Sequence, residues 1–190
     1  MKRLTFGIIL LLALWSSWWA WGQDQWISQR YFTTQTVWAV VLSMLVLFIL
    51  GTQHRFATLI VSVTTFNMII TGLVYHLVLE VTQLHFQAHL SHTILPLAML
   101  GVFFFFLENS FTYRQVWWLL VYPLGYLGFF IVFGGVLAWY PYPFMDVGTL
   151  GLGPVLRFSL GVLAPLFFVL ALGLVFIKQR IHKKDHPKMV

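Results

Sequence analysis

The chain contains no cysteine. That excludes disulfides, thiol catalysis and thiolate metal sites. Charge is almost as scarce. Only 8% of the 190 residues are charged, and Asp and Glu together number 5, whereas a soluble domain carries about 25% charged residues. Alternating polar positions are missing from the apolar runs, which excludes a transmembrane barrel. There is no H-E-x-x-H pattern, no internal repeat and no linker.

What remains is hydrocarbon. The chain is 60% hydrophobic, with a mean hydropathy of +0.87. Six apolar runs are each near the roughly 20 residues that span a bilayer as a helix. They fall at about 4–22, 34–53, 56–77, 91–107, 116–138 and 157–177. Backbone polar groups cannot go unpaired in lipid, so helices are the economical solution. The expected fold is all-α: one integral membrane domain over residues 1–190, a bundle of six transmembrane helices. The first run also fits a cleaved signal peptide, with a basic start and Gly22 near a cleavage point. Its tryptophans Trp15, Trp18, Trp19 and Trp21 fit an interfacial belt instead.

The net charge of +6 is not a nucleic-acid footprint, because the positive charges sit at span ends. With both termini cytoplasmic, nine of the 11 Lys and Arg fall inside. These are Lys2, Arg3, Arg55, Arg114, Lys178, Arg180, Lys183, Lys184 and Lys188; only Arg30 and Arg157 fall outside. That is the positive-inside pattern, and the basic tail suits anionic lipid head groups. A multi-pass protein of the cell membrane is expected. His54, Arg55, Glu108 and Arg114 read as ordinary loop charges.

This topology collects the chemically capable residues near the outer interface. Thr33, Thr34 and Thr36 open the second span. Tyr75, His76 and Glu80 close the third. His85, His89 and His92 share one helix face at the mouth of the fourth. Pro96 has no N–H for the carbonyl of residue 92, so the helix should open at His92. An ionisable ring at an opened helix in apolar surroundings is a functional candidate. Several alternatives stand beside that reading. Interfacial histidines can simply anchor a helix. His76, His89 and His92 could hold a metal or haem in a redox subunit. A non-catalytic scaffold or carrier needs no site at all. Thr33 or Thr34 could be only an N-cap, and Asn67 an interhelical hydrogen-bond link. Phe103 to Phe106 read as lipid-facing or core bulk. Pro123 and Pro165 should kink their helices. In the loop "WYPYPFMDVGTLGLGP", Asp146 could orient a histidine, and Tyr140 and Tyr142 form part of an aromatic lid or interface anchor.

The segments "YFTTQTVWAVVLSML", "TGLVYHLVLE", "HLSHTILPL", "LVYPLGYLGFFIVFGG" and "WYPYPFMDVG" resemble a bacterial family of predicted six-span membrane proteins (Pr6Pr-like). That family is similar to the animal androgen-induced-gene (FAR-17a/AIG-like) membrane threonine hydrolases. The resemblance covers roughly residues 28 to 175. It implies hydrolysis of a fatty acid ester of a hydroxy fatty acid by one Thr and one His, which fall on Thr33 and His92. Thr33 would then be the nucleophile and His92 the general base. His89 or Asp146 would orient His92, Tyr75 or His76 would bind the carbonyl oxygen, and Thr34 would be a neighbouring supporting residue. The expected partners are the lipid ester and membrane lipids, with no nucleic acid. No cofactor and no metal are expected, since thiolates are absent and no carboxylate pairs with the histidines.

Overall fold

The computed structural model describes residues 2–79, 85–109 and 112–185, apart from the side chains of residues 24, 25 and 182–185. Glu80 and Lys188 lie outside the described residues. Among those residues there is helix and no strand. Six helices are long and apolar enough to cross a membrane. They are α1 (Lys2–Gln23, helical on to Ser28), α2 (Phe32–Leu50), α3 (Arg55–Leu77), α4 (Phe86–Phe106), α5 (Tyr113–Phe133) and, after the one-turn α6 (Val147–Leu150), α7 (Leu152–Ile181). This is the length and composition of a multi-pass membrane protein.

Three boundaries differ from the expected ones. α4 begins at Phe86 rather than near 91, so His89 lies inside the helix. The first turn of α4 carries the polar Gln87 and His89, so the apolar run starts later than the helix. α5 stops at Phe133, where Gly134 and Gly135 begin a turn that takes Ala138 to φ 49. α7 starts at Leu152, since Gly151 at φ 79 gives the chain the left-handed residue it needs to turn into the helix.

The chain packs as two compact units, residues 1–111 with 177–190, and residues 112–176. In the first unit, α1 packs on α2, α2 on α3 and α3 on α4, while α1 also meets α4. The surface is apolar: Leu11 is 67% exposed and Ile49 79%. The interior holds hydroxyls, with Ser43, Ser62 and Thr65 fully buried. Such a distribution suits hydrocarbon outside and hydrogen-bonded partners within. Thr36 meets Thr71 at 3.1 Å and Ser43 donates to Thr64 at 2.8 Å. The two pairs are one heptad apart on both antiparallel helices, as in a coiled-coil seam. In the same register Asn67 comes opposite Val40, which offers no partner. Asn67 therefore donates within its own helix, to the Val63 carbonyl at 2.9 Å, and its Oδ1 has no partner among the described residues. Hydroxyl pairs, not Asn67, link α2 to α3.

One end of this unit is tied together by Glu108. It accepts from Lys2 Nζ at 2.9 Å, Thr52 Oγ1 at 2.9 Å and Gln53 Nε2 at 2.6 Å. It joins three chain segments, so it is more than the ordinary loop charge expected. Close by, buried Lys178 donates to the Leu107 carbonyl at 2.7 Å and stands over the Phe103 ring. Lys2 and Lys178 thus meet the same turn. Phe103 is buried and Phe105 is 79% exposed, so the phenylalanine run serves both the core and the apolar surface.

In the second unit, a capping box of Thr112 and Gln115 starts α5. Trp117 of α5 packs on Phe168 of α7. Pro123 lies inside α5. Pro165 follows a π-helical turn, Ser159–Leu163, in α7. Pro96 follows another, Leu90–Ile94, at the same offset in α4. In both helices the missing proline N–H goes with a locally widened turn.

Candidate active site

α2 starts from Tyr31 as N-cap, with no side-chain cap bond. Neither Thr33 nor Thr34 caps it, because both already lie within the first turn. The Thr33 hydroxyl points instead across to α4, 3.2 Å from His92 Nε2. Its backbone carbonyl accepts from Thr36 Oγ1 at 2.9 Å, and Thr36 in turn meets Thr71. The nucleophile candidate is therefore fixed through both its side chain and its backbone. Thr34 is buried and makes no hydrogen bond to His92.

His92 sits in the centre of the π-helical turn that precedes Pro96. Its Nδ1 lies 2.9 Å from the Ala88 carbonyl and 3.1 Å from Ser91 Oγ. A carbonyl only accepts, so Nδ1 carries the proton in the neutral ring. Nε2 is then bare and accepts from the Thr33 O–H. Ser91 donates to the Gln87 carbonyl at 3.1 Å, which leaves a lone pair for Nδ1–H. The orienting group on His92 is thus backbone and a serine, neither of which residue spacing had singled out.

Two residues of α3 finish the His92 environment. The Tyr75 ring stacks on the imidazole, with centroids 4.0 Å apart and planes 19° apart. Tyr75 is 7% exposed, and its hydroxyl has no partner among the described residues. One turn earlier, a Cβ on Gly72 would stand 3.0 Å from the His92 carbonyl and 3.7 Å from Pro96. The carbonyl that Pro96 cannot serve therefore rests against a bare Cα. No rule of motif or spacing had marked Gly72; the only signal was a glycine in a helix interior, where it costs stability.

The other candidates are placed as follows. His76 is exposed, edge-on to Tyr75, and pairs with Thr93 Oγ1 at 2.9 Å. His89 is half-buried one turn before His92, and its ring makes no hydrogen bond to a described residue. His85 precedes α4 and is exposed. Asp146, Tyr140 and Tyr142 belong to the second unit. There Asp146 caps α6, accepting from Thr149 N at 3.0 Å and Thr149 Oγ1 at 2.7 Å, and these bonds hold its carboxyl below the usual range. The Tyr140 ring covers Gly134, and Tyr142 stacks with Phe144. Among the described residues, no three His, Asp or Glu stand close enough to share a metal ion.

Comparison with protein-family models, curated proteins and solved structures gives no match to this chain.

Proposed function

We propose that the chain is a membrane-embedded lipid ester hydrolase with Thr33 as nucleophile and His92 as base. One observation carries this reading. The Thr33 hydroxyl stands 3.2 Å from a histidine nitrogen whose partner nitrogen is held protonated by a carbonyl. A threonine hydroxyl is inert until a base takes its proton, and this arrangement supplies the base in the right tautomer.

The steps follow from the residues. Thr33 Oγ attacks the ester carbonyl carbon as its proton passes to His92 Nε2. The C=O π pair moves to oxygen, and we assign the Tyr75 hydroxyl, buried without a partner among the described residues, as the donor that meets that charge. His76 has its Nε2 engaged by Thr93 and is the weaker candidate. The tetrahedral intermediate collapses. The C–O bond to the alcohol breaks, and the leaving alkoxide takes the proton from Nε2. Water then attacks the acyl-Thr33 ester, giving its proton to His92, and the carboxylic acid leaves as Thr33 recovers its hydrogen. The imidazolium formed in each half-reaction lies against the Tyr75 π face.

The proposed orientation has both termini in the cytoplasm and the site near the outer interface of the cell membrane. The acyl chain then stays in the bilayer while the ester meets water. A fluorophosphonate probe, followed by mapping of the modified residue, tests the reading. Modification of Thr33 supports it; modification elsewhere, or none, counts against it.

A second, non-catalytic reading is favoured by one observation. This chain links α2 to α3 with hydroxyl pairs, and Thr33–His92 has the geometry of one more such link, from α2 to α4. On that reading Thr33→Ala costs stability and no chemistry is lost.

A further inference from the structure

A groove of about 530 Å³ runs along the outer face of α1. It is lined by Leu11, Leu14, Trp15, Trp18, Trp21 and Ser17 of α1, with Trp38 of α2. Its size falls within the ~300–1,000 Å³ of small-molecule sites. It lies at the same end of the unit as His92, since Gln87 of α4 donates to the Ser16 carbonyl.

Ser17 is the unexplained residue there. It is 1% exposed, and its hydroxyl has no partner among the described residues. Many serines and threonines in apolar helices bond back to the carbonyl four residues earlier. Thr58, Ser62, Thr71 and Ser91 all do so, at 3.2, 2.6, 3.0 and 3.1 Å. Ser17 does not take the Ala13 carbonyl. It lines the groove with its hydrogen unspent.

The remaining polar groups of the groove are indole N–H donors. The Trp38 N–H is used by Gln29 Oε1 at 2.9 Å. Those of Trp15, Trp18 and Trp21 have no hydrogen bond to a described residue. The lining therefore offers donors almost alone, because an indole cannot accept. Its complement is an apolar chain carrying acceptor oxygens. Tryptophan belts mark the interface where lipid polar groups begin, so such a chain arrives from the bilayer.

We infer that this groove binds a fatty acyl ester, with the ester carbonyl accepting from Ser17 and the chain lying over the indoles and leucines. This binding role uses none of the Thr33–His92 pair and stands whether or not Thr33 is a nucleophile.

The test uses full-length Thr33→Ala protein, so that turnover by the proposed Thr33 chemistry does not consume the ester, in nanodiscs of ether-linked phospholipid, which has no ester carbonyls. A bromine-labelled fatty acid methyl ester is titrated against tryptophan fluorescence, since bromine quenches indoles at short range. Saturable quenching at low mole fraction is expected, and it should be lost in Trp15→Phe/Trp18→Phe. The brominated alkane of the same chain length, which carries no acceptor oxygen, should bind about fivefold more weakly, the value of one neutral hydrogen bond. Ser17→Ala should lower ester binding to the alkane's level. Quenching that rises linearly and equally for ester and alkane would show annular lipid only and overturn the proposal. Saturation by a brominated sterol but not by the ester would overturn the ligand class.

Discussion

At the level of single residues, the proposed chemistry depends on how His92 is held. Gly72 and Tyr75 are its closest supports from α3, and each makes a separate expectation. Gly72→Ala pushes a methyl group to 3.0 Å from the His92 carbonyl, so the π-helical turn must give by a few tenths of an ångström. The same change removes a helix glycine, which is worth about 0.5–1 kcal/mol in the other direction. Melting temperature should therefore hold while kcat falls on the order of tenfold at unchanged KM, because catalysis is sensitive to small misplacement. A parallel loss of stability and activity would make Gly72 merely structural. Tyr75→Phe removes a buried hydroxyl that has no partner among the described residues, so folding loses nothing or gains. If that hydroxyl meets the ester carbonyl, kcat should fall about 10²-fold with the melting temperature unchanged. Unaltered kcat would remove it from the mechanism. Part of this was readable beforehand. The topology expected from the apolar runs puts Thr33 and His92 at one level, and Pro96 announces the open turn. The choice of Thr33 over Thr34 rests on helix phase at the first turn, and that depends on where the helix starts. The groups that set the His92 tautomer, the Ala88 carbonyl and Ser91, were not readable. A backbone acceptor leaves no trace in residue type, so an acid such as Asp146 was the natural expectation.

At the level of the element, the Glu108 cluster ties the start of α1 to the α2–α3 turn and the end of α4. Its hydrogen bonds from Lys2, Gln53 and Thr52, in that order of effect, lower its carboxyl from an ordinary 4.5 to about 2. A depressed folded-state value stabilises the fold above the unfolded value. That stabilisation is complete above about pH 4.5 and is lost as pH falls through about 2. Lys2 and Glu108 side chains are 51% and 41% exposed, so the ion pair contributes at most about 1 kcal/mol. Glu108→Gln should lower the melting temperature slightly at pH 7 and flatten its fall between pH 4.5 and 2. An unchanged acid profile would show that these contacts do not act in solution. The apolar runs located all six helices because hydrocarbon length is a strong signal. The ends were less readable. α4 begins earlier than its apolar run, and α5 stops at a glycine pair rather than at a polar residue.

At the level of the whole molecule, the nine-to-two division of Lys and Arg is the reason to orient both termini toward the cytoplasm. Paired reporters fused after Val190, one active only inside and one only outside, should report the cytoplasm; an external C-terminus would move the Thr33–His92 end to the inner face. Six apolar helices and the parity shown by Lys2 and Lys178 at one turn agree with an even number of crossings. The central claim is that Thr33 and His92 act as one chemical unit and not as one more interhelical link. The most direct measurement is release of fatty acid from a fatty acid ester of a hydroxy fatty acid by purified protein in vesicles, compared among Thr33→Ala, His92→Ala and the double variant. Each single change should lower kcat by about 10²–10⁴-fold, and the double variant should be no worse than the weaker single one. Retention of most activity by either single variant, with only the roughly 1 kcal/mol of stability that one hydrogen bond contributes lost, would contradict it.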